Sequence, residues 1–113
     1  MVTTDFDQCL AAYPQEEWNR IVEKARGLPM TDRHVKDFMR YFIASARKCS
    51  LDRHGRILIP PSLRDASKLS KEVILLGMNY KFEIWDQKRW KEREEQIIQS
   101  SEEISAALAN LGL

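Results

Sequence analysis

The chain has 113 residues, enough for one domain or two very small ones. Its 18 Lys and Arg residues nearly balance its 17 Asp and Glu residues. The net charge of +1 excludes a protein that binds nucleic acid through a large overall positive charge. The shares of apolar (43%) and charged (31%) residues are ordinary for a globular domain and exclude wholesale disorder.

The first predicted element is a strand within residues 1–13. Its apolar part, Cys9 to Tyr13, follows polar residues and ends at Pro14. Because no partner strand lies close by in the sequence, the pattern predicts a single strand at the start of the chain.

Two amphipathic helices are predicted next, joined by a short link at residues 28–30. The first runs from Pro14 to Gly27, with glutamates near its start and the glycine as its C-cap. The second begins near Thr31, a good N-cap, and its apolar residues recur on one face. These residues are Val35, Phe38, Met39, Phe42 and Ile43. The pair is typical of an αα-hairpin whose facing stripes form core.

A β-hairpin is predicted around a charged turn at residues 52–55. Asp52 at the first position and Gly55 at the fourth favour a type I turn between strands at 47–51 and 56–59. Pro60 ends the second strand because proline cannot donate to a sheet ladder.

The segment after this hairpin predicts a short helix and a second hairpin. Residues 62–66 make at most a short helix. The apolar run 73–77 and the alternating run 81–85 then predict two strands joined by a turn through Met78 and Asn79.

The tail from Gln87 to Leu111 is predicted to be helical. An apolar residue recurs every seven positions, at Trp90, Ile97, Ile104 and Leu111, with Leu108 beside them. A stripe this narrow needs a partner surface, either the rest of this chain or a neighbouring subunit.

No catalytic constellation is visible, and we expect no enzymatic activity, metal or cofactor. The chain lacks the G-x-S-x-G and H-E-x-x-H motifs, and its four glycines cannot build a phosphate-binding loop. Cys49 and His54 are close in sequence, but nothing orients the histidine. The spacings of Cys9, Cys49 and the two histidines match no common zinc site, so both cysteines are predicted to be free thiols in a reducing cytosol.

Positive charge is concentrated in residues 47–64. The segment contains five cations and one acid, Asp52, so its net charge is +4 and that of the rest of the chain is −3. Arginines on a rigid turn suit phosphates and guanine edges. A solvated turn closed by an Asp52–Arg56 ion pair explains the same charges equally well.

The segment from Leu51 to Pro60 resembles the D-x-x-x-R signature of the MraZ family, which comprises bacterial transcription regulators built from AbrB-like (SpoVT-AbrB) units. Upstream, Cys9-Leu10, Tyr13-Pro14 and Glu17-Trp18 resemble the junction after the family's first half. Downstream, the matching residues keep the family's order and spacing: Leu63-Arg64, Leu69, Lys71-Glu72-Val73, Leu76-Gly77, Lys81 to Asp86, and Trp90. The resemblance extends roughly from Thr3 to Trp90.

The resemblance implies an α+β fold, with an AbrB-like swapped-hairpin β-barrel unit preceded by an αα-hairpin and followed by a C-terminal helix. The implied parts are a remnant of a first unit (1–17), a helical connector (18–45), a SpoVT-AbrB unit (46–89) and the C-terminal helix (90–113). The family has two units. A start codon placed too far downstream, a truncation, or a one-unit protein that completes its sheet by oligomerising would each account for the difference. The first two are favoured, because the first strand would otherwise expose an unpaired edge.

The resemblance also implies a function. A family member is expected to bind double-stranded DNA as a ring oligomer, on repeated promoter boxes of the division and cell-wall gene cluster, and to be cytoplasmic and nucleoid-associated without membrane contact. The alternative is a protein-interaction or antitoxin-like module that does not bind DNA directly.

The family's motif loops face DNA, and the resemblance transfers this role to the segment around Asp52. The candidate DNA-binding residues are Arg56, Arg53, His54, Asp52, Lys48 and Arg47. Arg56 and Arg53 are the predicted DNA contacts, and Asp52 is predicted to hold the turn. Lys48 and Arg47 are weaker candidates, for phosphate, and Arg64 suits a structural ion pair equally well.

Overall fold

A four-stranded antiparallel sheet forms the centre of the fold and joins the N-terminal strands to the hairpin at residues 73–86. The computed structural model describes residues 1–113. Its strands are β1 (Val2–Thr4), β2 (Leu10–Ala12), β3 (Val73–Gly77) and β4 (Phe82–Asp86), in the spatial order β1-β2-β4-β3. The central pair sets Leu10 opposite Ile84, so the N-terminal strands and the C-terminal hairpin share one sheet.

Helices pack around this sheet and continue beyond it. They are α1 (Gln15–Arg26), α2 (Arg33–Phe38), α3 (Pro61–Ala66), α4 (Gln87–Gln99) and α5 (Ser101–Asn110), and α2 continues into a π-helical turn (Met39–Ile43). The predicted α+β class is confirmed. None of these helices is both long enough and apolar enough to cross a membrane.

The prediction of a single strand at the start of the chain is wrong, because residues 2–12 form a hairpin. The Asp5 amide donates to the Cys9 carbonyl at 2.9 Å and closes the turn, in which Gln8 adopts a left-handed φ of 64°. Glycine or asparagine usually marks such a position, so the turn has no clear signal in the sequence. Strand β2 lies between β1 and β4 and is fully buried, so this strand has partners on both sides and no exposed edge.

The helical pair is confirmed, with one correction at the start of the second helix. The N-cap is Asp32, whose side chain accepts a hydrogen bond from the His34 amide at 2.8 Å, and not Thr31. In the core, Trp18 of α1 stacks on Phe42 with ring centroids 5.6 Å apart. The hydroxyl of Thr3 donates to the Phe42 carbonyl, so the sheet also fastens the π-helical turn.

The predicted hairpin around Asp52 forms its turn but not its strands. The Asp52 amide donates to the Arg56 carbonyl at 2.9 Å and closes the turn. No strand forms before or after this turn at residues 47–51 or 56–59. Leu51 is 66% exposed and Leu58 is 89% exposed, whereas Cys49 and Ile59 of the same flanks are partly buried against the core cluster that contains Val2 and Leu10. A two-stranded ribbon that is packed over only part of its length is marginal in water, which explains the missing ladder. The segment has one backbone bridge to the sheet, between Val2 and Arg47.

The second hairpin and the short helix before it are confirmed. Asn79 supplies the left-handed residue of the hairpin turn, with a φ of 77°. Leu63 of α3 is buried and packs in one core cluster with residues of three strands. The other members of this cluster are Val2, Leu10, Ala12 and Ile84.

The predicted tail helix is present, but it is divided at Ser100 into α4 and α5. Asp86 caps α4 by accepting from the Arg89 amide, and it also accepts from the Ser70 amide at 3.0 Å and from the Ser70 hydroxyl. Trp90 packs edge-on against Trp85, with ring centroids 5.5 Å apart. These contacts attach the root of the tail to the sheet.

Candidate nucleic-acid interface

The turn at residues 52–56 is held by one carboxylate. The Oδ1 atom of Asp52 accepts from the backbone amides of His54 (2.8 Å) and Arg56 (2.9 Å), and its Oδ2 atom accepts from Nε of Arg56 at 3.1 Å. The Gly55 amide completes the turn by donating to the Asp52 carbonyl at 3.0 Å, and the glycine has a left-handed φ of 74°. The aspartate therefore determines the conformation of the whole motif loop.

The same hydrogen bonds keep this carboxylate ionised. The Arg56 amide lowers the pKa of Asp52 most, and the His54 amide and the Arg56 side chain lower it further, against a partial desolvation that raises it. Hydrogen bonds to an ionised acceptor are stronger than neutral ones. At neutral pH the turn is therefore ordered without any ligand.

Three side chains of this turn are exposed and have hydrogen-bonding capacity to spare. Arg53 and His54 make no side-chain hydrogen bond or ion pair within the chain. Arg56 uses only Nε within the protein, so both of its terminal nitrogens remain free. The Asp52–Arg56 ion pair, which would account for these charges in a turn that does not bind DNA, is therefore present. It leaves most of the Arg56 guanidinium available.

The remaining candidate cations differ in whether other groups of the chain already bind their side chains. Nη1 of Arg47 donates to the carbonyls of Ala44 (3.2 Å) and Ala46 (2.9 Å), just beyond the π-helical turn. Lys48 and Arg64 are exposed and form no ion pair, so the ion-pair role suggested for Arg64 is absent. The structure thus places Asp52, Arg53, His54 and Arg56 on one turn and gives Arg47 a structural contact.

A second charged cluster, which sequence reasoning missed, lies at the β1–β2 turn. The Lys81 ammonium is 3.3 Å from the Asp5 carboxylate and 3.4 Å from that of Glu83. Burial lowers the pKa of Lys81, but the adjacent Asp5, Tyr13 and Glu83 raise it above its ordinary value overall. The alternation of Lys81, Phe82 and Glu83 in the sequence indicates that Lys81 and Glu83 are neighbours. Asp5 joins them only through the tertiary fold.

Cys9 lies beside this cluster as a protonated thiol. Its sulfur and the two carboxylates lie within 4.8 Å of one another, which is a spacing that a metal ion could bridge. Burial, and then the charges of Glu83 and Asp5, raise the pKa of Cys9 to about 12. Because the Lys81 ammonium already pairs with both carboxylates, we interpret the cluster as a structural ion-pair network.

The fold and the turn together define a small α+β protein that displays one preorganised basic loop. A family profile described as "MraZ protein, putative antitoxin-like" matches residues 42–111, which include this loop. Among curated proteins, the chain is 38% identical to the transcriptional regulator MraZ of Halothermothrix orenii, over the whole of this chain and 79% of the relative. It is 44% identical to the MraZ regulator of Thioalkalivibrio sulfidiphilus, covering 77% of that protein, and 39% identical to that of Acetivibrio thermocellus, covering 79%.

The chain belongs to the MraZ family of transcriptional regulators. The resemblance based on the D-x-x-x-R segment is thereby confirmed. In this structure the segment is the Asp52–Arg56 turn, and its aspartate and arginine bind each other.

Proposed function

We propose that the chain is a sequence-specific DNA-binding regulator whose motif turn contacts double-stranded promoter DNA. One observation carries the proposal: Asp52 orders the turn through three hydrogen bonds, and the exposed Arg53, His54 and Arg56 lie on it. A loop that is ordered before binding loses little conformational entropy when the complex forms.

The chemistry of these side chains fits a DNA groove. A guanidinium donates two parallel hydrogen bonds to O6 and N7 of guanine, and the free terminal nitrogens of Arg56 are suited to this contact. Arg53 and Lys48 carry free charges for base edges or phosphates. Asp52 contributes indirectly, because it fixes the position from which Arg56 acts.

One turn offers few contacts, so the proposed regulator acts as an oligomer. Several turns on one ring, meeting repeated boxes, bind more tightly because each further contact becomes intramolecular. In this proposal the boxes lie upstream of the division and cell-wall genes, and the protein is cytoplasmic and nucleoid-associated. Residues 46–89 act as the SpoVT-AbrB unit, and segments 1–17, 18–45 and 90–113 support it.

Fluorescence anisotropy with DNA from the protein's own upstream promoter tests the proposal. Loss of a bidentate guanine contact costs about 1–3 kcal/mol, so Arg56→Ala is expected to weaken binding by roughly 5- to 150-fold. Lys24→Ala, which removes an exposed cation from α1, serves as the control and is expected to bind like the unaltered chain. If Arg56→Ala binds as tightly as the unaltered chain, the assignment is wrong.

A second candidate is a protein-interaction or antitoxin-like role. The antitoxin-like description of the family and the exposed apolar residues of α5 favour it. In that case the unaltered chain shows no promoter binding even at low salt, where phosphate contacts are strongest.

A further inference from the structure

Leu58 is an exposed apolar residue directly beside the motif turn. It follows Arg56 by two residues and is 89% exposed. Among the large apolar residues of the chain, only the C-terminal Leu113 is more exposed. Any partner that contacts Arg56 therefore also lies close to an uncovered leucine side chain.

The side chains of residues 56–59 alternate between two faces, as in an extended segment. Ile57 lines a cavity, and Ile59 packs against the core cluster of the sheet. Arg56 and Leu58 are both exposed and lie on the other side. The segment thus has an inner apolar face and an outer face that carries one guanidinium and one leucine side chain.

A second exposed leucine, on the opposite flank of the turn, provides an internal comparison. Leu51 precedes Asp52, is 66% exposed and lines the same cavity as Ile57. Its side chain therefore lies on the inner face, whereas the Asp52 side chain meets that of Arg56 on the outer face. Two leucines thus flank one turn on opposite faces.

We propose that Leu58 recognises a thymine beside the base that Arg56 contacts, by covering the thymine methyl group in the major groove. The inference rests on the proposed DNA binding and assigns part of its sequence specificity. In this groove guanine presents the O6 and N7 acceptors, and thymine presents a C5-methyl group that apolar side chains contact. The outer face matches both groups, because it carries free guanidinium nitrogens and an apolar side chain together.

The dimensions of the groove agree with this arrangement. Residues two apart in an extended segment are separated by about 6–7 Å, and successive base pairs along one strand by about 3.4 Å. Leu58 therefore reaches a base pair one or two steps from the one that Arg56 contacts. The major groove is about 12 Å wide and admits two extended chains side by side, so both flanks of the turn fit into it.

The charges around Leu58 favour DNA over a protein surface as its cover. Arg53 and the terminal nitrogens of Arg56 are free, and the one acid of the turn, Asp52, is already bound to Arg56. A protein that covers Leu58 must also supply acceptors for these guanidinium groups, since burying an unpaired charge is costly. A DNA groove supplies the acceptors and the methyl group on one surface.

Replacing thymine by deoxyuridine tests the proposal, because deoxyuridine pairs as thymine does and lacks only the methyl group. The full chain is titrated by fluorescence anisotropy against its upstream promoter DNA, prepared once with thymine and once with deoxyuridine. The unaltered chain is expected to bind the deoxyuridine form about fourfold more weakly, which is the effect of one buried group of methylene size. Leu58→Ala is expected to bind both forms equally.

Leu51→Ala is the matched control and is expected to keep the difference between the two DNA forms. If Leu58→Ala also keeps it, or if the unaltered chain does not distinguish the two forms, the proposal is overturned, whereas weaker binding by Arg56→Ala still supports the proposed function. A Leu58→Ala chain that keeps the difference and sediments as a smaller species shows that a protein surface covers Leu58, which also overturns the proposal. A chain that binds neither form contradicts the proposed function and this inference together.

Discussion

Lys48 and Arg47 are adjacent cations that the structure separates into different roles, and their substitutions test this difference. Lys48 has no partner in the chain, whereas the Arg47 guanidinium is bound to the Ala44 and Ala46 carbonyls. If Lys48 and Arg53 each neutralise one phosphate while Arg56 contacts a guanine edge, the logarithm of affinity falls with the logarithm of salt concentration with a slope of about −1.8 for each engaged turn. Raising the salt from about 50 to 200 mM then weakens binding about 12-fold.

Lys48→Ala is expected to reduce this slope to about −0.9, so the same salt increase weakens binding only about 3.5-fold. Arg47→Ala is expected to leave the slope unchanged. The assay is a salt series of anisotropy titrations on a DNA probe carrying a single copy of the promoter box. If Arg47→Ala lowers the slope as much as Lys48→Ala, the guanidinium leaves its carbonyls to bind DNA, and the distinction drawn from the structure is refuted.

Three further predictions concern the turn, the core and the acid response. Gly55→Ala places a side chain at a φ of 74°, which costs about 1–2 kcal/mol, and is expected to weaken promoter binding, whereas Gly55→Asn retains most of it in the same titration. Leu10→Ala, at a fully buried position between β1 and β4, is expected to lower the free energy of unfolding by about 2–5 kcal/mol in urea, and equal stability would contradict the central place of β2. Hydrogen bonds from the Ser70 side chain, the Ser70 amide and the Arg89 amide lower the pKa of Asp86 in the folded chain. The ionised Asp86 side chain therefore stabilises the fold above pH 3.8, and this stabilisation is lost as the pH falls through the lower pKa of the folded state. Asp86→Asn is therefore expected to show a smaller loss of stability than the unaltered chain on acidification below pH 4, and an identical loss would disprove this role.

The helices and the second hairpin were predictable because local signals agree there. The apolar face of α1, with its glutamates and Gly27, marks a helix whatever surrounds it. The alternation around Ile84 predicts β4 for the same reason. The Asp52–Gly55 turn was also predictable, because the interactions that close it lie within five residues.

The errors occur where distant residues decide the structure. Strand β2 exists as a central strand because β4, 70–74 residues away in the sequence, pairs with it. The flanks of the Asp52 turn alternate like strands, but no third strand covers them, so they form no ladder. The sequence shows strand propensity in both segments and cannot show which of them finds a partner.

The sequence by itself determined the family, the basic character of residues 47–64 and the turn that joins Asp52 to Arg56, since each depends on residue order and short-range hydrogen bonds. The tertiary structure alone decided which cations are free. It shows that Arg47 binds helix-end carbonyls while Arg53 stays exposed, and that Asp5 joins Lys81 across the sheet. It also shows that Ile97, Ile104 and Leu108, on one side of the C-terminal helices, stay exposed in their own chain. These outcomes depend on which surfaces meet in space, and residue order alone does not specify that.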